Sequence, residues 1–178
     1  MNYLEEITRA MTFLGQKNDL LVVGQTTLYP GTNCFKTLLK IDNSKKIEMP
    51  VAESFQFGLS IGLCLQGYVI LNLYPRMNFL LCAIEPLVNY LDKIKEISHN
   101  EYKIKMIIRT LIGSEKPLYP GVSHIGDFTD FFKLLLKNTE VIRLDESEQI
   151  FDFPISGIIT KIEQSNIENF TIEEIDFN

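Results

Sequence analysis

The sequence predicts an α/β fold, a three-layer α/β/α sandwich around a mostly parallel sheet, and three observations carry that prediction. Short apolar runs at residues 20–23, 68–73, 106–110 and 141–144 lack polar alternation, as expected of strands with both faces covered by helices. Stretches of helical periodicity separate those runs, which is the alternation that builds parallel sheets. The chain has 178 residues, enough to bury one core and too few for a second full domain.

Taken in order, Tyr3, Leu4, Ile7, Met11 and Leu14 recur at helical spacing up to Gly15, so the chain opens with an amphipathic helix stopped by a glycine. The first strand follows at 20–23. Pro50 marks where a strand ends, and the run 52–66 is apolar nearly all the way round, the pattern of a helix buried on both sides. That run is too short and too interrupted by Gln and Ser to span a bilayer. Within it, Ser54, Gly58 and Gly62 fall four apart on one face and leave a groove where another backbone or a ligand can approach. Pro86 lies inside the helix expected at 79–94 and should kink it, at a cost of about 3 kcal/mol relative to an ordinary residue. Asp127 and Asp130 with Phe128, Phe131 and Phe132 read as an acidic cap followed by an apolar helix face. Residues 1–145 are thus one domain. Residues 146–178 form an acidic, Asn-rich C-terminal appendage, partly ordered, with one further strand at 157–161.

The net charge of -6 and the lack of any Lys/Arg cluster argue against nucleic acid, whose phosphates need a basic face. The three cysteines, Cys34, Cys64 and Cys82, are an odd number without metal-like spacing, and two of them fall in apolar helical runs where free thiols pack as small hydrophobes. The opening Met-Asn-Tyr-Leu-Glu-Glu has neither the basic nor the apolar region of a secretion signal, so a reduced, cytoplasmic setting without membrane association is expected.

Three residues stand out chemically. Glu53 puts one acid at the mouth of an apolar helix, where a carboxylate is expensive unless something pairs with it. The plainer account is a first-turn glutamate favoured by the helix dipole, worth roughly 0.3–1 kcal/mol. His124 sits in the Pro/Gly loop 119–127, and loops carry function more often than packing, although a surface histidine is the simple alternative. Arg76 follows Tyr74-Pro75 at the end of a buried strand, either as the ion-pair partner of a neighbouring carboxylate or as an anion hook for substrate. His99, in the run Ser98-His99-Asn100-Glu101, is expected to be solvated.

Residues 47–67, Ile-Glu-Met-Pro-Val-Ala-Glu-Ser-Phe-Gln-Phe-Gly-Leu-Ser-Ile-Gly-Leu-Cys-Leu-Gln-Gly, resemble the pyrimidine-binding domain of thiamine-diphosphate-dependent enzymes, of the transketolase-like, pyruvate dehydrogenase beta subunit type. There a strand delivers a Pro-x-x-Glu turn and then a Gly-spaced helix. Three more stretches are similar to that family in the same order: 20–24, 78–93, and 107–113 followed by 119–127. By this resemblance Glu53 matches the glutamate that activates the cofactor and His124 the active-site histidine, while Gln25, Arg76 and Phe79 fall at cofactor-binding positions. Gln25 stands where the family often has an acid, Arg76 where it has an aromatic, and Ser123 and Ile125 where glutamines flank the histidine.

The resemblance implies thiamine diphosphate as cofactor, with its diphosphate and Mg²⁺ held by a partner subunit carrying a Gly-Asp-Gly…Asn-Asn motif, since Gly126-Asp127-Phe128 lacks that pattern. It implies a pyrimidine-binding subunit of a two-component enzyme, assembled as a homodimer or heterotetramer. Such an enzyme acts on a 2-oxo acid or ketose by decarboxylation or two-carbon transfer. Two other readings are a catalytically silent structural or regulatory subunit of the same fold, and an unrelated α/β small-molecule binding module.

Overall fold

Leu20, Leu21, Val22 and Val23 have no polar side to turn to water, and in the computed structural model they form the second strand from the edge of a six-stranded sheet. The structure describes residues 3–113, 119–145, 150 and 158–161, the last four by their backbone. Strands β1 (Leu20–Gly24), β2 (Lys46–Glu48), β3 (Val69–Tyr74) and β4 (Lys105–Thr110) are parallel, in the order β2-β1-β3-β4. The sheet continues through β6 (Ile158–Lys161) to β5 (Glu140–Ile142), and β6 pairs antiparallel with both β4 and β5. The strand expected at 157–161 is therefore an inner strand of the sheet, and the remainder of the expected C-terminal appendage, save Ile150, lies outside the described residues.

The alternation along β3 sorts the helices. Ile70 and Tyr74 point into a core with Phe57, Met77, Leu80 and Leu87, whereas Val69, Leu71 and Leu73 point into another with Ile7, Met11, Cys34 and Leu38. Helices α1 (Tyr3–Gly15) and α2 (Asn33–Thr37) thus cover one face, and α3 (Glu53–Leu65) with the helical stretch after β3 covers the other. With both faces covered, all six residues of β3 are buried, five of them apolar or aromatic and the sixth the amide Asn72. The chain is a mixed α/β fold on a four-stranded parallel sheet. Among the described residues no helix is long and apolar enough to cross a membrane.

The connection leaving β1 passes to α2 on one face, and that leaving β3 passes to the other. Such a divergence opens a crevice at the carboxyl ends of the two strands, the position where open α/β sheets bind ligands. Gly24 ends β1 against β3 so closely that a Cβ there would lie 2.4 Å from the Leu73 carbonyl oxygen, so only glycine fits.

Several local expectations need correction. Helix α3 is not buried on both sides: Glu53, Gln56, Phe57, Ser60 and Cys64 face inward, while Phe55 is 64% exposed and Leu65 40% exposed. Helical periodicity cannot reveal this, because the inward residues include the polar ones. Pro86 does not simply kink one long helix. The stretch changes register instead, from α4 (Met77–Leu80) through a 3₁₀ turn, Leu81–Ala83, to α5 (Ile84–Pro86), then a π turn, Leu87–Leu91, before α6 (Ile94–Ile97). These changes of winding accommodate a residue with no N–H to give. Asp127 lies one residue before the cap of α7 (Thr129–Leu135), where its carboxylate accepts hydrogen bonds from the Thr129 N–H and hydroxyl. Cys82 is exposed, whereas Cys34 and Cys64 are buried. Burial pushes the Cys64 thiol up to about 12, outweighing hydrogen bonds with the Lys105 and Ile70 backbone that lower it.

Candidate functional site

The site begins with Glu48, at the end of β2. Its carboxylate accepts four hydrogen bonds from the loop after β1: from the N–H groups of Thr26 (2.7 Å), Thr27 (2.7 Å) and Leu28 (2.8 Å), and from the Thr27 hydroxyl (2.8 Å). Hydrogen bonds to a charged acceptor contribute about 1.5–3 kcal/mol each. They offset the left-handed backbone of Thr26, at φ 61°.

The clamp fixes Gln25 just upstream, and the Gln25 amide Nε2 donates to Glu53 Oε1 at 3.2 Å. Glu53 is 9% exposed in the first turn of α3, where the helix dipole favours an acid. Its other carboxylate oxygen takes no hydrogen bond from a described residue. The backbone carbonyl of Glu53 accepts from the Tyr74 hydroxyl at 3.2 Å. Burial drives the Tyr74 phenol well above its ordinary range, with the nearby Glu53 charge adding to it and a hydrogen bond from Asn72 opposing it, so Tyr74 stays a donor.

One turn further on, Gln56 Nε2 donates to Asn72 Oδ1 (2.7 Å) and to the Leu73 carbonyl (3.0 Å), and the Ser60 hydroxyl donates to the Gln56 carbonyl (2.8 Å). These buried amides tie α3 to β3 in one fixed rotation. That rotation is what presents Glu53 to the crevice.

His124 is half-buried in a 3₁₀ turn, its ring 5.3 Å from that of Phe79 in an edge-on contact, with Nδ1 2.8 Å from the Ser123 hydroxyl. The His124 loop runs so close to Gly113 that a Cβ there would lie 1.9 Å from the His124 carbonyl oxygen. The Gly126 N–H donates to Asn78 Oδ1 (3.0 Å) and the Met77 N–H to the Leu111 carbonyl (2.8 Å), stitching this loop to the turn after β3.

Arg76 is half-buried, with Nη1 donating to the Pro75 carbonyl at 3.1 Å and with no ion pair to a described carboxylate. It lines a cleft on the α1–α2 side together with Arg109. The structure therefore groups the expected site residues as Glu53 with Gln25 and Phe79 with His124, and sets Arg76 beside a second arginine. No hydrogen bond or ring contact joins the first two groups among the described residues.

Four residues escaped sequence reasoning. Glu48 carries no signal of its own in the sequence, and the Gln56–Asn72 link pairs residues from different elements. Arg109 did leave a signal: a lone cation inside the apolar run 106–110. No protein-family model matches the chain, and no curated protein matches it.

Proposed function

We propose that this chain is a pyrimidine-binding subunit of a two-component thiamine-diphosphate enzyme, a three-layer α/β/α domain working with a partner that holds the diphosphate and Mg²⁺. The observation that carries the reading is Glu53: an acid almost fully buried at a strand-adjacent helix start, steadied on one oxygen by Gln25, with the other oxygen free of described partners. The donor set fits the aminopyrimidine ring of the cofactor, which needs one carboxylate at N1′ in a site shielded from water.

When bound, thiamine diphosphate supplies a carbanion that adds to the carbonyl of a 2-oxo acid or ketose. Glu53 would hold a hydrogen bond to the ring at N1′, which favours the tautomer with a basic N4′. Gln25 and the Glu48 clamp keep the Glu53 carboxylate from turning away, and Tyr74 pins its backbone. His124, packed on Phe79, would orient or protonate groups on the substrate side. The exposed outer face of α3, with Phe55 and Leu65 in water, Val51 exposed just before the helix and open space over Gly58 and Gly62, supports association of this subunit through that helix.

The test is proton exchange at C2 of thiamine diphosphate in the assembled complex of the two subunits. Glu53→Gln should slow exchange about 10²- to 10⁴-fold with the fold intact by circular dichroism. Equal exchange in both proteins would remove Glu53 from the chemistry.

A further inference from the structure

Arg109 is a guanidinium with five donors, 2% exposed on β4, and among the described residues it makes one hydrogen bond, from Nη1 to the Thr37 hydroxyl at 2.7 Å. Thr37 in turn donates its proton to the Cys34 carbonyl at 2.7 Å. The Nε atoms of Arg109 and of Arg76 are both buried without a hydrogen-bond partner among the described residues. No described carboxylate forms an ion pair with either residue. A cation buried in this way is strongly unfavourable until an anion joins it.

Both arginines line one cleft of about 600 Å³, together with Thr32, Asn33 and Thr37 of the β1–α2 segment and the apolar side chain of Ile7. Their charges converge there. Burial pushes the Cys34 thiol up, and the positive fields of Arg109 and Arg76 both oppose that shift. The cleft sits at the carboxyl end of β3 and β4, and its volume falls within the roughly 300–1,000 Å³ usual for small-molecule sites.

We propose that this cleft binds a small organic anion, whose carboxylate or phosphate oxygens lie between Arg76 and Arg109 and whose apolar part rests on Ile7. Guanidinium forks match the paired oxygens of both groups, and the neutral hydroxyls of Thr32 and Thr37 add polar walls without competing charge. Of the positions that the resemblance assigns to the cofactor, Arg76 alone lines this cleft; Glu53, which carries the thiamine diphosphate reading, does not, so the two can fail separately.

Thermal denaturation of the full chain at constant ionic strength tests it, with inorganic phosphate in one series and acetate in the other, each balanced against chloride. The expected result is a saturable rise in Tm with at least one of the two anions. A rise with phosphate alone assigns the site to phosphate esters, and a rise with acetate alone assigns it to carboxylic acids. Arg76→Gln, at a half-buried turn position, should abolish the rise. Arg109→Lys, which keeps the charge and loses the fork, should weaken the apparent affinity about tenfold. Should Arg109→Lys fail to fold, Arg76→Gln decides alone. A chain that shows no saturable rise with either anion, or an equal rise in Arg76→Gln, would overturn the proposal whatever the fate of the Glu53 experiment.

Discussion

Helices α1 and α3 are each thirteen residues long and lie on opposite faces of the same sheet, yet they place their polar residues differently. Helix α1 buries Ile7, Ala10, Met11 and Leu14, and its one buried acid, Glu6, is paired with Arg9. Helix α3 turns Glu53, Gln56 and Ser60 inward and leaves Phe55 and Leu65 in water. Helix α1 thus obeys the needs of a folded single chain. Helix α3 gives up apolar burial for a fixed acid and an exposed apolar face, an arrangement that fits the proposed cofactor on one side and the proposed association on the other.

The contrast can be broken or sharpened by four substitutions, all read by denaturant unfolding. The largest loss should come from α1: Met11→Ala removes a fully buried side chain and should cost about 2–5 kcal/mol, without changing association. Next is Glu48→Gln, which leaves the loop donors of residues 26–28 short of a charged acceptor, at a cost of about 1.5–3 kcal/mol. Amide hydrogen exchange at Thr26, Thr27 and Leu28 should rise in that variant, and unchanged protection would show that the clamp does not hold the loop.

Asp127→Asn should be weaker, at most about 1 kcal/mol, because its ion pair with Arg143 is partly exposed and screened. Burial alone would raise the Asp127 carboxyl, but the Thr129 hydrogen bonds and the Arg143 charge outweigh it and hold the group below the usual range. A depressed carboxyl stabilises the fold above its unfolded pKa, roughly 3.9, and loses that contribution as pH falls through the lower folded value. The difference between wild type and Asp127→Asn should therefore be constant near neutrality and close below about pH 4; a gap that widens on acidification would contradict the assignment. The smallest effect is expected at Phe55→Ser. This exposed position should change the stability of the dilute chain by less than about 0.5 kcal/mol. Sedimentation should nevertheless show reduced self-association, and an unchanged profile would exclude the outer face of α3 as the contact.

The sheet was legible because buried strands announce themselves as mainly apolar runs without polar alternation: β1, β3, β4 and β5 were expected within a residue or two of where they lie. The start of α3 was legible from Pro50 and Glu53 for a similar local reason. Strand β2 was harder, since Lys46, Ile47 and Glu48 make a three-residue edge strand with no apolar run of its own. The antiparallel direction of β6 was not legible, because an apolar segment such as Ile158–Lys161 carries no sign of which neighbours will pair with it. At the site, single residues with unusual settings could be picked out, but their partners could not. Gln25 reaches Glu53 across 28 positions and Arg109 reaches Thr37 across 72, distances over which sequence pattern holds no register.

The place of β6 has a consequence for how the chain is made. As synthesis proceeds, β2 can join β1, β3 can join β1 and β4 can join β3, each new strand meeting one that has already emerged. Strand β5 breaks this order, since its sheet neighbour is β6, which is translated later. A ribosome-bound chain that has not yet reached residue 158 therefore carries β4 as an open edge and β5 as a strand in waiting. Until β6 covers it, such an edge is open to pairing with a neighbouring nascent chain.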